Sequence, residues 1–160
     1  MSIAMPMFKR AFSLLEVMIV VIIIGVLAAV VIPKFASATS DAKTASLEAT
    51  LGGVRASIAA YRTRAVIEGS DPFPTLEQLL ADGEVLHTPV GANPFTGVGG
   101  IQPVRRNHAL ARTVINPLNA GWNYYVDNSA TPPVAIFYAN CEDKTTTTGS
   151  GGASAGANEL

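Results

Sequence analysis

Residues 9–33 read KRAFSLLEVMIVVIIIGVLAAVVIP, and this stretch decides how the chain is organised. The 21 residues from 12 to 32 contain one charged side chain, Glu16. At about 1.5 Å rise per residue, a helix of that length spans roughly 30 Å, which is the thickness of a bilayer hydrocarbon core. Because a helix satisfies its own backbone hydrogen bonds, the segment can cross a membrane.

Three ordinary interpretations of this segment compete. The Ala36-Ser37-Ala38 tripeptide matches a secretory signal cleavage site, but the apolar run is longer than a usual signal peptide and contains Glu16. A plain membrane anchor explains the length and leaves Glu16 unexplained. A buried core helix would need a larger domain to cover a surface that is apolar on every side.

Glu16 favours a fourth interpretation, in which the helix packs against copies of itself. A carboxylate in a membrane helix costs about 2.5–3.5 kcal/mol on insertion scales, so such residues are usually retained for a partner. A cut between Ala11 and Phe12 would create an ammonium group on Phe12, close to this carboxylate in sequence. In a stack of identical helices, the Phe12 ammonium of one subunit can pair with Glu16 of its neighbour. That contact would set the axial register, which apolar faces alone specify weakly.

The sequence KRA at 9–11 followed by FSLLEV at 12–17 closely resembles the processing site of type IV prepilins and type II secretion pseudopilins. The resemblance implies that a prepilin peptidase removes the leader, that Phe12 is then N-methylated, and that Glu16 is the acidic residue at the fifth mature position. One departure is Ala11, because the family normally has glycine before the cut.

The helix of this family also tends to carry a glycine and a proline, and Gly25 and Pro33 resemble them. Pro33 has no N–H to donate to the carbonyl of Ala29, so we expect a kink in the helix there. Beyond Pro33 the pattern becomes amphipathic, and apolar residues at helical spacing predict one buried face. These residues are Leu47, Leu51, Val54, Ile58, Tyr61 and Ala65.

The rest of the chain predicts a small α+β domain. Thr75 and Gln78 form a capping-box pattern, which predicts a short helix to about Asp82 with Gly83 as its stop. Residues 88–103 are rich in proline and glycine and indicate a surface loop. Residues 121–126 and 134–139 predict two strands joined as a hairpin, with a third strand within 110–115.

The resulting fold class is α+β and pilin-like, with a long N-terminal helix packed on a small antiparallel sheet. We expect a leader peptide at 1–11, a transmembrane and assembly helix at 12–32, a periplasmic domain at 33–144 and a flexible tail at 145–160. The resemblance places the protein in the inner membrane with a single pass, its leader cytoplasmic and its C-terminal domain periplasmic.

The sequence contains no recognisable catalytic motif, so we expect no enzyme and no cofactor. His87 and His108 lack a motif, and the lone Cys141 predicts a packed or partly exposed thiol. A small basic cluster indicates a solvated surface, or else a contact with an anion or another subunit. Its members are Arg105, Arg106, His108 and Arg112.

Calcium is the one metal for which the sequence offers candidate ligands. The resemblance is closest in character to the major pseudopilin, and that protein type binds calcium in a loop near its last strands. Two clusters here offer the hard oxygen ligands that calcium prefers. They are Asp127 with Asn128 and Ser129, and Glu142 with Asp143.

These observations predict a structural subunit of a type II secretion pseudopilus, which polymerises through its N-terminal helix. A single cysteine forbids the disulfide that closes a C-terminal loop in many pilus subunits. The alternatives are a type IV pilus subunit for adhesion, motility or DNA uptake, and a membrane-anchored periplasmic protein that does not polymerise. Without Lys9 and Arg10 the chain has 9 basic and 12 acidic side chains, so no nucleic acid partner is expected. The expected partners are copies of this chain, the prepilin peptidase, other secretion or pilus assembly components and the membrane.

Overall fold

The computed structural model describes residues 12–149 and 151–160, so the predicted leader and Ala11 lie outside the described residues. The chain divides into two compact units between Ala38 and Thr39. Helix α1, Leu14–Glu68, contributes its first part to one unit and its second part to the other.

The second part of α1 supplies one wall of the domain core. Its predicted apolar face is buried at every position except Tyr61, which packs at the core margin. Leu47 and Leu51 belong to the same core cluster as Trp122 and Phe137, whose rings stack with their centroids 5.6 Å apart. The predicted amphipathic helix is therefore confirmed, and burial of this face on the sheet is its main source of stability.

A three-stranded sheet in the order β1-β2-β3 covers this helix face. Strands β2, Trp122–Asp127, and β3, Val134–Ala139, form the predicted antiparallel hairpin. Strand β1, Ile101–Pro103, pairs in parallel with β2, so the sheet is mixed. The α+β layout is confirmed.

The prediction of a third strand within 110–115 is wrong. Helix α3, Arg106–Ala111, ends there instead, and its alanines and leucine favour a helix. The third strand lies within the region that the sequence indicated as a loop. It is only three residues long, and its Pro103 is tolerated because β1 is an edge strand.

Helix α2, Leu76–Leu80, begins with the predicted capping box. The Thr75 Oγ1 atom accepts from the Gln78 N–H at 3.2 Å, and the Gln78 Oε1 atom accepts from the Thr75 N–H at 2.9 Å. The helix ends at Leu80, before the predicted limit at Asp82. Gly83 follows in a turn with φ +79°, a conformation that glycine adopts without steric cost.

The segment before β1 is not a simple surface loop, because Asn93 is fully buried. Its Nδ2 atom donates to the Gly121 carbonyl at 3.1 Å, and its own N–H donates to the Val98 carbonyl at 2.9 Å. A Cβ atom added at Gly121 would lie 2.1 Å from the Val98 carbonyl oxygen. Only glycine therefore allows this loop to lie so close to the start of β2.

A chain of side-chain amides, buried at Asn123 and Asn140 and partly buried at Gln102, connects the sheet to the segment before β2. The Asn123 Nδ2 atom donates to the Asn140 Oδ1 atom at 2.9 Å. Gln102 donates to the Asn123 Oδ1 atom at 2.8 Å, and Asn140 donates to the Ile115 and Ala120 carbonyls at 2.8 Å each. These hydrogen bonds satisfy carbonyl groups of the segment between α3 and β2, which has no regular secondary structure of its own.

The C-terminal segment is ordered secondary structure, so the prediction of a flexible tail is wrong. Strands β4, Lys144–Thr148, and β5, Ser154–Gly156, pair antiparallel, and a 3₁₀ turn at Ala157–Glu159 follows. The Thr146 N–H donates to the Thr44 Oγ1 atom of α1 at 3.1 Å, and Ala157 is fully buried. The composition misleads because a run of threonines is also a good strand former.

We expect removal of residues 145–160 to destabilise the domain, because it removes β4, β5 and the core contacts of Leu160. A finer test is Thr44→Val, which leaves the Thr146 N–H without its acceptor and should cost about 1 kcal/mol. Thermal unfolding of the full chain in detergent, followed by circular dichroism, measures both effects.

The matched control is Thr50→Val. The Thr50 hydroxyl donates to the Ser46 carbonyl one turn earlier in the same helix, so its hydrogen bond lies within α1. We expect the melting temperature to fall by a few degrees for Thr44→Val, to fall further for the truncation, and to stay nearly unchanged for Thr50→Val. A truncated chain that melts like the intact one would restore the flexible-tail interpretation.

Candidate assembly site

The start of α1 places Glu16 in its first turn. The Ser13 Oγ atom accepts from the Glu16 N–H at 3.1 Å, so Ser13 is the N-cap of the helix. Glu16 therefore occupies the third helical position, where the positive end of the helix dipole stabilises a carboxylate. Sequence reasoning gave Ser13 no role, although the Ser-x-x-Glu spacing at 13 and 16 is a recognised N-terminal signal.

The apolar segment that follows is exposed along its length. Phe12 is 80% exposed, and the larger apolar side chains from Leu14 to Phe35 are exposed as well. Among the described residues, α1 is the one helix that is long and apolar enough to cross a membrane, and its most apolar stretch is not buried within the structure. This exposure excludes the interpretation as a buried core helix. A surface of this kind needs lipid or apolar side chains from another molecule to cover it.

Gly25 and Pro33 both lie inside α1. Apart from the adjacent residues and nearby backbone of α1, a Cβ atom at Gly25 would meet no described atom within 4 Å, so the glycine leaves open space on the helix surface. The helix continues through Pro33, and the Ser37 hydroxyl donates to the Pro33 carbonyl at 3.1 Å. The kink at these two residues stays a prediction.

The predicted cut lies between Ala11 and Phe12. Phe12 is exposed and directly precedes the N-cap, whereas Ala11 lies outside the described residues. The described part of the site thus consists of Phe12, the N-cap Ser13 and the acidic residue Glu16, followed by the apolar helix surface. This arrangement can present a carboxylate and a new amine at the same end of one helix.

Comparison with known proteins bears on this end of the chain. Residues 7–32 match the model of the prokaryotic N-terminal methylation motif. The chain is 35% identical over 78 residues to the type IV narrow pilus major component PilA5 of Thermus thermophilus. That match covers 49% of this chain and 63% of the relative. No solved structure matches significantly.

The chain thus carries a prepilin-type N-terminal motif at the start of a long apolar helix, and it is similar to a type IV pilin over 78 residues. One apolar helix near the N-terminus is consistent with a membrane-anchored pilin. Neither similarity distinguishes a secretion pseudopilus from a pilus.

Asp127, one of the acidic residues in the two oxygen-rich clusters, has hydrogen-bond partners within the chain. The Asp127 Oδ1 atom accepts from the Ser129 hydroxyl at 2.7 Å and from the N–H groups of Ser129 and Ala130 at 3.1 Å each. Hydrogen bonding, chiefly from the Ser129 hydroxyl, lowers the pKa of Asp127. Asp127 thus closes the turn after β2. No group of three or more His, Cys, Asp or Glu side chains that could hold a metal occurs in 12–149 and 151–160.

Cys141 is a packed thiol, as predicted. It is buried, and the Asn93 Nδ2 atom approaches its Sγ atom at 3.3 Å. Burial raises the pKa of Cys141, which disfavours the reactive thiolate. The thiol therefore belongs to the packing between the loop around Asn93 and the end of β3.

The basic cluster predicted from sequence is divided by the fold. His108 and Arg106 belong to α3, whose backbone receives hydrogen bonds from the Tyr138 hydroxyl and from the N–H of Thr113. Arg112, in contrast, lines a cleft together with Arg55 and Arg62 of α1. This second grouping could not be predicted from the sequence, because Arg112 is separated from the two arginines of α1 by about half the domain.

Proposed function

We propose that this pilin-like chain is a structural subunit of a type II secretion pseudopilus and that it polymerises through residues 12–32. The observation that carries the proposal is an exposed apolar helix that begins with a capped turn containing Glu16, within a prepilin-type motif. In this proposal the chain crosses the inner membrane once, with residues 1–11 in the cytoplasm and the C-terminal domain in the periplasm. A prepilin peptidase removes the leader after Ala11, and Phe12 is N-methylated.

The physical basis of assembly is the surface of the apolar helix. Each buried CH₂ group contributes about 0.8 kcal/mol when it leaves water, so residues 12–32 are retained in lipid or against similar helices. Hydrocarbon does not discriminate between lipid and a neighbouring apolar helix, so packing and polar contacts must favour the neighbour. Glu16 supplies such a contact, because it can pair with the terminal ammonium of the adjacent subunit.

Two features support a pseudopilus. The single Cys141 is packed against Asn93, and the end of the chain is held by the β4–β5 pair in place of a disulfide. After removal of Lys9 and Arg10, acidic side chains outnumber basic ones, which disfavours DNA uptake. The partners in this proposal are further copies of the chain, the membrane and the other components of the secretion machine.

A second candidate is a type IV pilus subunit. The similarity to the Thermus thermophilus narrow pilus component favours it, although that match leaves about half of this chain uncovered. Assembly through residues 12–32 is common to both candidates. They differ in what the filament does outside the inner membrane.

Mass analysis of the membrane-extracted protein tests the processing step. We expect a mature chain that begins at Phe12 and carries one methyl group on its amine. An N-terminus at Thr39 would instead establish cleavage of a secretory signal peptide. An uncut chain beginning at Met1 would establish a plain anchor and remove the proposed pairing.

Glu16→Ala tests the role of the carboxylate in assembly. The variant keeps the backbone N–H that Ser13 caps, so the helix start and membrane insertion should be preserved. We expect filament yield to fall about tenfold or more, since a charge-assisted contact is lost at every subunit. Quantification of sheared filaments against total membrane protein measures the change.

The control is Asp41→Ala, which removes an exposed acid from α1 outside residues 12–32. We expect normal filament yield from this variant. Equal yields from the Glu16 and Asp41 variants would remove the pairing role of Glu16 and leave apolar packing as the source of register.

Deletion of the gene from its own host distinguishes the two candidates. A pseudopilus subunit should be required for the appearance of secreted proteins in the medium, while surface filaments remain. Both the medium proteome and electron micrographs of negatively stained cells are needed. Loss of surface filaments with normal secretion would establish the pilus candidate instead.

A further inference from the structure

A cleft of about 320 Å³ lies between the second part of α1 and strand β3, and three arginines line it. Arg55 and Arg62 come from α1, and Arg112 comes from the C-terminal end of α3. The remaining lining residues are apolar, so the cleft contains no acidic side chain. Three positive charges therefore share one concave surface without a carboxylate in its walls.

The arginines in this cleft have free hydrogen-bonding capacity. Each guanidinium has five N–H donors. Arg55 donates to the Phe137 carbonyl at 3.1 Å, and Arg112 donates to the Glu159 carbonyl. Arg62 stacks over the ring of Phe73 with its guanidinium carbon 5.0 Å from the centroid. These partners are backbone carbonyls and an aromatic face, and none of them neutralises a charge.

The guanidiniums also influence each other. Desolvation lowers the pKa of Arg55, and the positive charge of Arg112 lowers it further. Arg55 as a whole is solvent-exposed, but its guanidinium lies close enough to the protein to lose hydration. Like charges that converge in this way favour binding of an anion.

Arg112 reaches this position from an unfavourable backbone conformation. Its φ of +48° lies in the left-handed region, which non-glycine residues rarely adopt. The Asn158 Nδ2 atom donates to its carbonyl at 2.9 Å, so the end of the chain holds it there. Such strain is retained where the surrounding structure enforces it, and it is common at functional sites.

We propose that the cleft formed by Arg55, Arg62 and Arg112 is a binding site for an oxyanion, a carboxylate or phosphate group. Arginine suits this role because its planar fork matches the two oxygens of such a group. The anion has two possible sources, a free ion or an acidic side chain of a neighbouring copy of the chain. The second source rests on the proposed filament, whereas the site itself does not.

Titration of the full-length chain with inorganic phosphate tests the site. The protein is dispersed in detergent, its arginine side-chain Nε–H resonances are recorded by NMR, and ionic strength is held constant with chloride. We expect saturable shifts for the cleft arginines. Arg62→Gln and Arg112→Gln should each weaken phosphate binding by about tenfold, since each removes a charge-assisted hydrogen bond.

Arg105→Gln is the matched control, because Arg105 is exposed and does not line the cleft. It should change the phosphate affinity less than twofold. Arg62→Gln retains the hydrogen bond between Arg55 and β3, so it remains informative if the Arg112 variant fails to fold. The absence of saturation in the wild-type chain, or equal affinities in the cleft variants and the control, would overturn the proposal.

The same titration on assembled filaments identifies the source of the anion. If a carboxylate of a neighbouring copy fills the cleft, the phosphate-dependent shifts seen in the dispersed chain will be lost. If a free ion is the ligand, they will persist. Failure of the chain to form filaments would contradict the proposed function and leave the result from the dispersed chain unchanged.

Discussion

Helix α1 is one continuous run of hydrogen-bonded backbone, but its two parts have surfaces that suit different environments. Its first part is apolar on every side and exposed, and its second part is apolar only where it packs on the sheet. The change of pattern sets the role of each part, because an all-round apolar surface needs lipid or other helices, whereas a stripe needs one partner. The first part is the surface through which we propose that the chain assembles, and the second organises the core of the domain.

The domain that contains the second part of α1 is small, so each polar group buried inside it needs a hydrogen-bond partner. Asn93, Asn123 and Asn140 are all fully buried, and each bonds to a carbonyl or to another amide. An unpaired buried amide would cost about 1–3 kcal/mol, a sizeable fraction of the stability of a domain this size. These residues therefore hold irregular connections in place where no disulfide and no long strand does so.

Local signals in the sequence predicted the elements that depend on local physics. The stripe on α1 follows from helical spacing, α2 from the capping box at Thr75, and the β2–β3 hairpin from two β-prone runs. Strand β1 was missed because its three residues pair with β2 across 21 positions of sequence. The β4–β5 pair was missed because a polar, glycine-containing composition suits a linker as well as an edge hairpin. Pairing between distant residues decides the first case, and in the second the contact of Thr146 with Thr44 of α1 adds a long-range contact that composition does not encode.

The same distinction applies to the functional residues. The end of the chain near Phe12 and Glu16 was recognisable from a short motif, whereas Ser13 was overlooked within it. Arg112 was grouped with its sequence neighbours, although the fold brings it to two arginines of α1. That placement depends on Asn158 and Glu159, in the segment that composition described as a tail. Residues 158 and 159 thus contact a charged residue that is distant in sequence, and neither this contact nor the grouping with α1 could be read from local sequence.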